Sequence, residues 1–140
     1  MRGVVTRCLG LDIGDKRIGV ALSDPKGILA TPLDTIERAD EAADIAAIGQ
    51  IIGQYQVGKV IIGLPRSMDG SIGRQAEKVK AFTEGLNRRI KVPLEFRDER
   101  LSTVSAQRLM RETKKANSKA GEDAVAAAVI LQAYLDETRL

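Results

Sequence analysis

Three acids in this chain stand where a carboxylate could do chemistry: Asp12, Glu99 and Asp123. Asp12 lies near the end of the run Leu9-Gly10-Leu11-Asp12-Ile13-Gly14, and a second apolar run, Ile18 to Leu22, follows the turn. Strand, tight turn and returning strand would leave Asp12 at the rim of a sheet, anchored by buried neighbours yet open to solvent. Glu99 follows a strand-like segment. Asp98 beside it would point to the opposite face if the strand persists, so either could serve a site while the other pairs with Arg97, Arg100 or backbone. Asp123 opens an alanine-rich helix, where an aspartate also has a purely structural use as a cap that complements the helix dipole. Carboxylates converging from separate strand ends form an oxygen-only site for one hydrated divalent ion or for two. Paired ions can generate hydroxide, orient it and stabilise the leaving oxygen of a phosphodiester.

What the chain lacks narrows the chemistry further. It has no histidine and a single cysteine, Cys8. Ser-His-Asp triads, Cys-His pairs, imidazole bases, His-ligated zinc and thiolate clusters are therefore excluded. Any catalysis must run on carboxylates, lysines, hydroxyls or an oxygen-bound metal, which favours Mg²⁺ or Mn²⁺ over zinc. Cys8, inside the first apolar run, is expected to be a buried core thiol of a cytoplasmic protein.

With 140 residues, 44% of them hydrophobic and 29% charged, the expectation is one domain spanning 1–140, able to bury a core without disulfides. Apolar stretches such as Val125 to Leu131 are too short to span a bilayer, and the amino terminus has no hydrophobic signal core. The net charge is only +3, but it is unevenly spread. Asp34 to Asp44 holds five acids and one base, whereas Arg66–Lys91 and Arg97–Lys119 each hold seven bases and three acids. Basic segments beside isolated acids suit a polyanionic partner, since lysine and arginine release counterions from phosphate backbones. A solvated helix face is the plainer account of the same charges.

The elements that must position these residues can be read from periodicity. Strands are predicted near Cys8–Ile13, Arg17–Ser23 and Ala30–Ile36, joined by turns at Gly14-Asp15 and Asp24-Pro25-Lys26-Gly27. Asp40 should cap a helix to about Tyr55, with Ala43, Ile45, Ile48, Ile52 and Tyr55 near one face. Lys59–Leu64 reads as a central parallel strand. Ser71 opens a helix to about Asn87, Pro93–Asp98 forms a fifth strand, Leu101–Glu112 a further helix and Thr113–Ala120 a polar loop. Asp123 to Glu137 is the last helix. The order βββαβαβα implies an α/β fold, a five-stranded mixed sheet with helices on both faces. Sites in such sheets form outside the carboxyl ends of the strands, which is where Asp12, Gly63-Leu64-Pro65 and Asp98-Glu99 fall.

A second dense signal is the segment from Ile61 to Arg74, in which an apolar strand enters a glycine-rich loop and then a helix start. Exposed backbone N–H groups and the helix dipole favour an anion there, with Arg66 and Arg74 as charge partners. It is not a Walker A loop, because the G-K-[ST] ending is absent. A plain Pro-Gly connection is the alternative.

Taken together, the motifs resemble one family. The opening L-D-I-G-x-K-R-I-G-V-A-x-S-D (Leu11 to Asp24), the loop G-L-P-x-x-x-D-G-S-x-G (Gly63 to Gly73), D-E-R-L-S-T (Asp98 to Thr103) and D-A-x-A-A-x-x-I-L-Q-x-Y-L-D (Asp123 to Asp136) are similar to those of the YqgF/RuvX proteins. That bacterial family is associated with Holliday junction resolution and pre-16S rRNA maturation. The resemblance implies an RNase H-like fold, phosphodiester hydrolysis with Mg²⁺ or Mn²⁺, and a role at the 5′ end of precursor 16S rRNA. By motif position, Asp12, Glu99 and Asp123 correspond to the family's acidic catalytic and metal-binding residues.

The aromatic inventory bears on how nucleic acid would be held. There is no tryptophan, and Tyr55, Phe82, Phe96 and Tyr134 fall at positions read as core-facing. Few rings remain to stack on splayed bases. Binding is therefore expected to run through phosphates and shape, with Lys16, Arg17, Gly63, Arg66, Gly70, Arg74, Arg100, Lys114, Lys115 and Lys119 as candidate contacts. Precursor rRNA is the expected partner, branched DNA the other candidate, ribosomal particles a further one, and the protein a monomer or homodimer. Two rival readings exist. An actin-like or sugar-kinase ATPase shares the strand–Asp–Gly–strand opening but needs two lobes. A non-catalytic RNA- or ribosome-associated factor could keep the fold without turnover.

Overall fold

In a computed structural model the described residues are 6–65, 73–98 and 121–138. They form β1 (Arg7–Ile13), β2 (Arg17–Ser23), β3 (Ala30–Glu37), α1 (Glu41–Gln54), β4 (Val57–Leu64), α2 (Arg74–Arg89), β5 (Leu94–Asp98) and α3 (Glu122–Thr138). The expected helix at Leu101–Glu112 and polar loop at Thr113–Ala120 lie outside the described residues. The strands make one sheet in the order β3-β2-β1-β4-β5. β1 runs antiparallel to β2 and parallel to β4, and β4 runs parallel to β5. The mixed α/β sheet predicted from the sequence is the one observed.

Strand alternation divides the apolar residues between two helix layers. Leu9, Leu11 and Ile13 of β1, Ile18 and Val20 of β2, and Val60, Ile62 and Leu64 of β4 join Ile45 and Ile48 of α1 and Val79, Phe82 and Leu86 of α2 in one core. The intervening residues Ala21 and Ile61 face the other way, into a core with Ala127, Ala128, Leu131 and Tyr134 of α3. Asp12 shares the α3 side by the same alternation, two residues beyond Gly10.

α3 is alanine-rich because it must lie very close to the sheet. A Cβ on Gly10 would come within 2.8 Å of Leu131 Cβ and 2.9 Å of the Ala127 carbonyl oxygen. One on Gly19 would fall inside the van der Waals envelope of the Asp123 carbonyl. Glycine inside a strand here marks the place where another backbone approaches. Buried Gln132 fixes the helix from its other end. Its Oε1 accepts the Ala30 N–H at 2.9 Å, and its Nε2 donates to the Ile28 carbonyl at 2.9 Å and to Asp136 Oδ1 at 3.0 Å.

The loop between β2 and β3 is organised by Asp24, whose Oδ1 accepts the N–H groups of Ile28 (2.7 Å) and Leu29 (3.1 Å), while Gly27 turns the chain at φ +70. Desolvation is the largest single influence on the Asp24 pKa and pushes it up, but the backbone donors together outweigh it and hold the carboxyl below its ordinary value. At the edge of the sheet, β3 carries Pro32 beside a register shift opposite Val20 and Ala21. Among the described residues no helix is long and apolar enough to cross a membrane.

Four expectations are corrected. In α1, capped by Asp40 as predicted (Asp40 Oδ1 accepts the Ala43 N–H at 2.8 Å), Ala43 is exposed and Asp44 is the buried residue. Asp44 is drawn inward by Arg38, which a helical hydrophobicity pattern cannot show. α2 starts at Arg74 with Gly73 at its N-cap rather than at Ser71. Cys8 is half-buried, since β1 is only partly covered there; burial still pushes its thiol pKa up, against the pull of nearby Lys59. Phe96 is 39% exposed, because β5 is an edge strand and its flank toward α2 stays open to solvent.

Replacing Gly19 by alanine is expected to destabilise the protein by about 1–3 kcal/mol or more, read by urea denaturation, because backbone rather than a pliable side chain occupies the space. Asp24→Asn should lower the thermal midpoint at pH 7. A depressed folded-state pKa contributes stability that is present above the unfolded value near 4 and lost as pH falls through the folded value. The deficit of the variant should therefore shrink in thermal melts below about pH 4.

Candidate active site

The carboxyl ends of the parallel strands β1, β4 and β5 lie along one edge of the sheet, and two of the candidate acids, Asp12 and Asp123, come to that edge through backbone geometry. Asp12 is the penultimate residue of β1 and is half-buried. Its direct partner across the antiparallel pair is Gly19, and residues so paired have Cα atoms about 4.5–5.5 Å apart. The first turn of α3 rests on that glycine through the Asp123 backbone. Asp12 and Asp123, 111 positions apart, thus reach the same face and the same end of the sheet.

Arg17 completes this arrangement. Its Nε donates to Asp123 Oδ2 at 3.0 Å, with the two side chains 49% and 38% exposed. In β2, Arg17, Gly19 and Ala21 alternate onto the α3 face. Asp123 is therefore more than a helix-terminal acid, since its carboxylate is held by a cation delivered from the hairpin that follows Asp12.

The hairpin turn itself is braced from behind. Gly14 N–H donates to the Arg17 carbonyl at 2.9 Å. The Arg38 backbone N–H donates to the Lys16 carbonyl at 2.9 Å, and its guanidinium donates to the Gly14 carbonyl at 3.0 Å. That guanidinium also donates to Asp44 Oδ2 at 3.1 Å and lies 4.9 Å from the Phe82 ring centroid. Asp44 is 2% exposed and accepts the Ala39 N–H at 2.9 Å. A carboxylate so far from water persists only with its remaining hydrogen-bonding capacity met, and these contacts supply it. A weaker exposed contact, Lys78 to Asp15 at 3.4 Å, ties the same turn to α2.

On β5, Leu94 packs into the α1–α2 core, whereas Glu95 bonds Lys59 at 2.7 Å and Arg97 pairs with Glu137 of α3. Asp98 therefore falls on the α1–α2 side by alternation, away from the face that carries Asp12. Glu99 lies outside the described residues, as do Arg66, Gly70, Arg100, Lys114, Lys115 and Lys119. Lys16 and Arg17 are exposed on the hairpin, Arg74 is exposed at the start of α2, and Gly63 is buried inside β4, paired with Arg97. Among the described residues no three metal-ligating side chains form a cluster. The carboxylates of Asp12 and Asp123 are hard oxygen donors of the kind Mg²⁺ and Mn²⁺ accept, so this part of the donor set fits such an ion.

Sequence reasoning missed Gly10, Gly19 and Arg38 as positioning residues. A signal for the glycines was present, because an interior strand glycine commonly marks a close backbone approach. Arg38 had none, since it acts through a carbonyl and a carboxylate supplied by other elements.

Sheet order and flanking helices define an RNase H-like fold. The Thermus thermophilus RuvC structure with Holliday junction substrate superposes on it with a TM-score of 0.63 at 10% identity, covering 96% of each chain. The chain belongs to the RuvX family, described as Holliday junction resolvase, whose profile matches residues 6–137. A Moorella thermoacetica protein named "Putative pre-16S rRNA nuclease" is 48% identical over 132 residues, covering 93% of this chain and 94% of its own. One of the same name from Dehalococcoides mccartyi is 51% identical over 126 residues, covering 90% and 95%.

Removing the Asp44 carboxylate with Asp44→Ala should cost about 3 kcal/mol, because Arg38 would stay largely enclosed without its partner. Chemical denaturation checks the cost. Amide exchange at Gly14, Lys16 and Arg17 should show the hairpin turn loosening with it.

Proposed function

We propose that this protein is a divalent-metal-dependent nuclease that hydrolyses phosphodiester bonds of precursor 16S rRNA at its 5′ end, acting in the cytoplasm as a single domain. The observation that carries the reading is the meeting of Asp12 and Asp123 on one face, at the end of the sheet where this class of fold places ligands. The names of relatives nearly half identical along most of the chain support RNA as substrate.

Asp12, Asp123 and Glu99 are the residues assigned to hold Mg²⁺ or Mn²⁺. When bound, such an ion polarises the phosphodiester and lowers the pKa of attacking water. The protein's own part is positional. Asp12 is fixed by the strand pairing, and Asp123 by the seat of α3 on Gly19. Glu99 is assigned by its place in the motif that begins at Asp98. Lys16, Arg17 and Arg74, with Arg66, Arg100, Lys114, Lys115 and Lys119, supply cations for the phosphate backbone. Gly70 is assigned to let it approach closely, a part that Gly63, enclosed within β4, does not take. Ribosomal particles are the setting in which such a precursor is met, and the unit acting there is a monomer or homodimer.

The family description supports a second reading, in which the substrate is a four-way DNA junction. Both are tested by incubating the protein with a precursor RNA and a DNA junction in Mg²⁺, Mn²⁺ or chelator. Cleavage of the RNA is expected with metal only. Asp12→Asn should lose more than about 100-fold in rate, the upper end of what outer-shell changes alone cost at metal sites. Cleavage confined to the junction would transfer the assignment to DNA. Activity in chelator, or undiminished in Asp12→Asn, would overturn the metal mechanism.

A further inference from the structure

We infer that Arg17 is an exchangeable counter-ion of the active site: it holds the Asp123 carboxylate until a divalent ion enters, then turns to a backbone phosphate of the nucleic acid. This rests on the reading of Asp12 and Asp123 as metal ligands, and it assigns Arg17 a role toward both metal and substrate.

The geometry points to exchange rather than a fixed clamp. The bond uses Asp123 Oδ2, one of the two oxygens through which an incoming ion would bind, at 3.0 Å from Arg17 Nε. Both side chains are substantially exposed, and an ion pair in water is held weakly enough for a doubly charged ion to displace it. The contrast with Arg38 is instructive. That arginine, 23% exposed, is held by a carboxylate 2% exposed, a backbone carbonyl and an aromatic face, so leaving would break three contacts at once.

The same brace makes the exchange economical in motion. Arg38 grips the carbonyls of Gly14 and Lys16, and Gly14 bonds Arg17 across the turn. The Arg17 backbone is thereby fixed, and only its side chain has to rotate. Guanidinium suits both partners, because its planar fork matches carboxylate and phosphate alike. Before metal binds, the pair offsets the charge of one of two neighbouring acids. Afterwards the ion takes that task and the arginine is released beside it, where a phosphate must lie.

The test compares wild type, Arg17→Gln, Asp12→Asn and Asp123→Asn. Mn²⁺ affinity is measured without nucleic acid, by calorimetry and by the spin-resonance signal of free Mn²⁺. Exchange requires Arg17→Gln to bind Mn²⁺ more tightly than wild type, by roughly two- to fivefold on the scale of an exposed ion pair. That gain should vanish in the Arg17→Gln/Asp123→Asn double variant. Affinity for a labelled structured RNA is then measured against salt, with Ca²⁺ and with chelator. The magnitude of the salt slope should fall by about one contact for Arg17→Gln with Ca²⁺, and stay near wild type in chelator.

Unchanged or weaker Mn²⁺ binding in Arg17→Gln would overturn the proposal, since a fixed clamp that orients Asp123 predicts that result. So would an equal loss of RNA contacts with and without Ca²⁺. Failure of the underlying site reading looks different: Asp12→Asn and Asp123→Asn would then bind Mn²⁺ as wild type does.

Discussion

The seating of α3 against the sheet at Gly10 and Gly19 is the contact on which the site depends. Two strands give up their side chains so that a helix backbone can lie directly upon them. The hydrophobic gain from an alanine-rich surface is modest per residue, so closeness must supply what bulk does not. That closeness is also what carries Asp123 to Asp12. Larger residues at the two glycines would lift the helix and take an acid away from the strand end, so packing and chemistry share one constraint.

Around this contact the protein distributes two arginines with opposite degrees of freedom. Arg38 is enclosed by Asp44, Gly14 and Phe82 and acts as framework. Arg17, one hairpin strand away in the fold, stands half in solvent on Asp123. Identical chemistry serves rigidity in one place and readiness in the other. The difference lies in desolvation, because a buried pair is costly to break and an exposed pair is not.

Much of this was legible in the residues, and the exceptions share a cause. Alternating apolar runs, the Gly14 turn and the Asp40 cap are local signals, and they located the strands and α1 closely. Ala43 and Phe96 were misplaced because Arg38 draws the neighbouring Asp44 inward and because an edge strand is open on its flank, neither of which sequence periodicity encodes. Asp12 and Asp123 were legible as acids at element ends. Their meeting was not, since it needs the absent Cβ of Gly19 as much as the carboxylates. The ambiguity at Asp98 yields to alternation once Leu94, Glu95 and Arg97 have partners on known faces.

The outer strand β3 has a consequence for the molecule's behaviour in a crowded solution. An open sheet edge is a template on which a foreign strand can dock and growth into fibrils can begin. Pro32 removes one donor from that edge, the neighbouring bulge bends it, and Asp34 and Glu37 add charge along it. Each of these is a known deterrent to edge pairing. The margin of the five-stranded sheet thus carries its own safeguards against edge-to-edge growth.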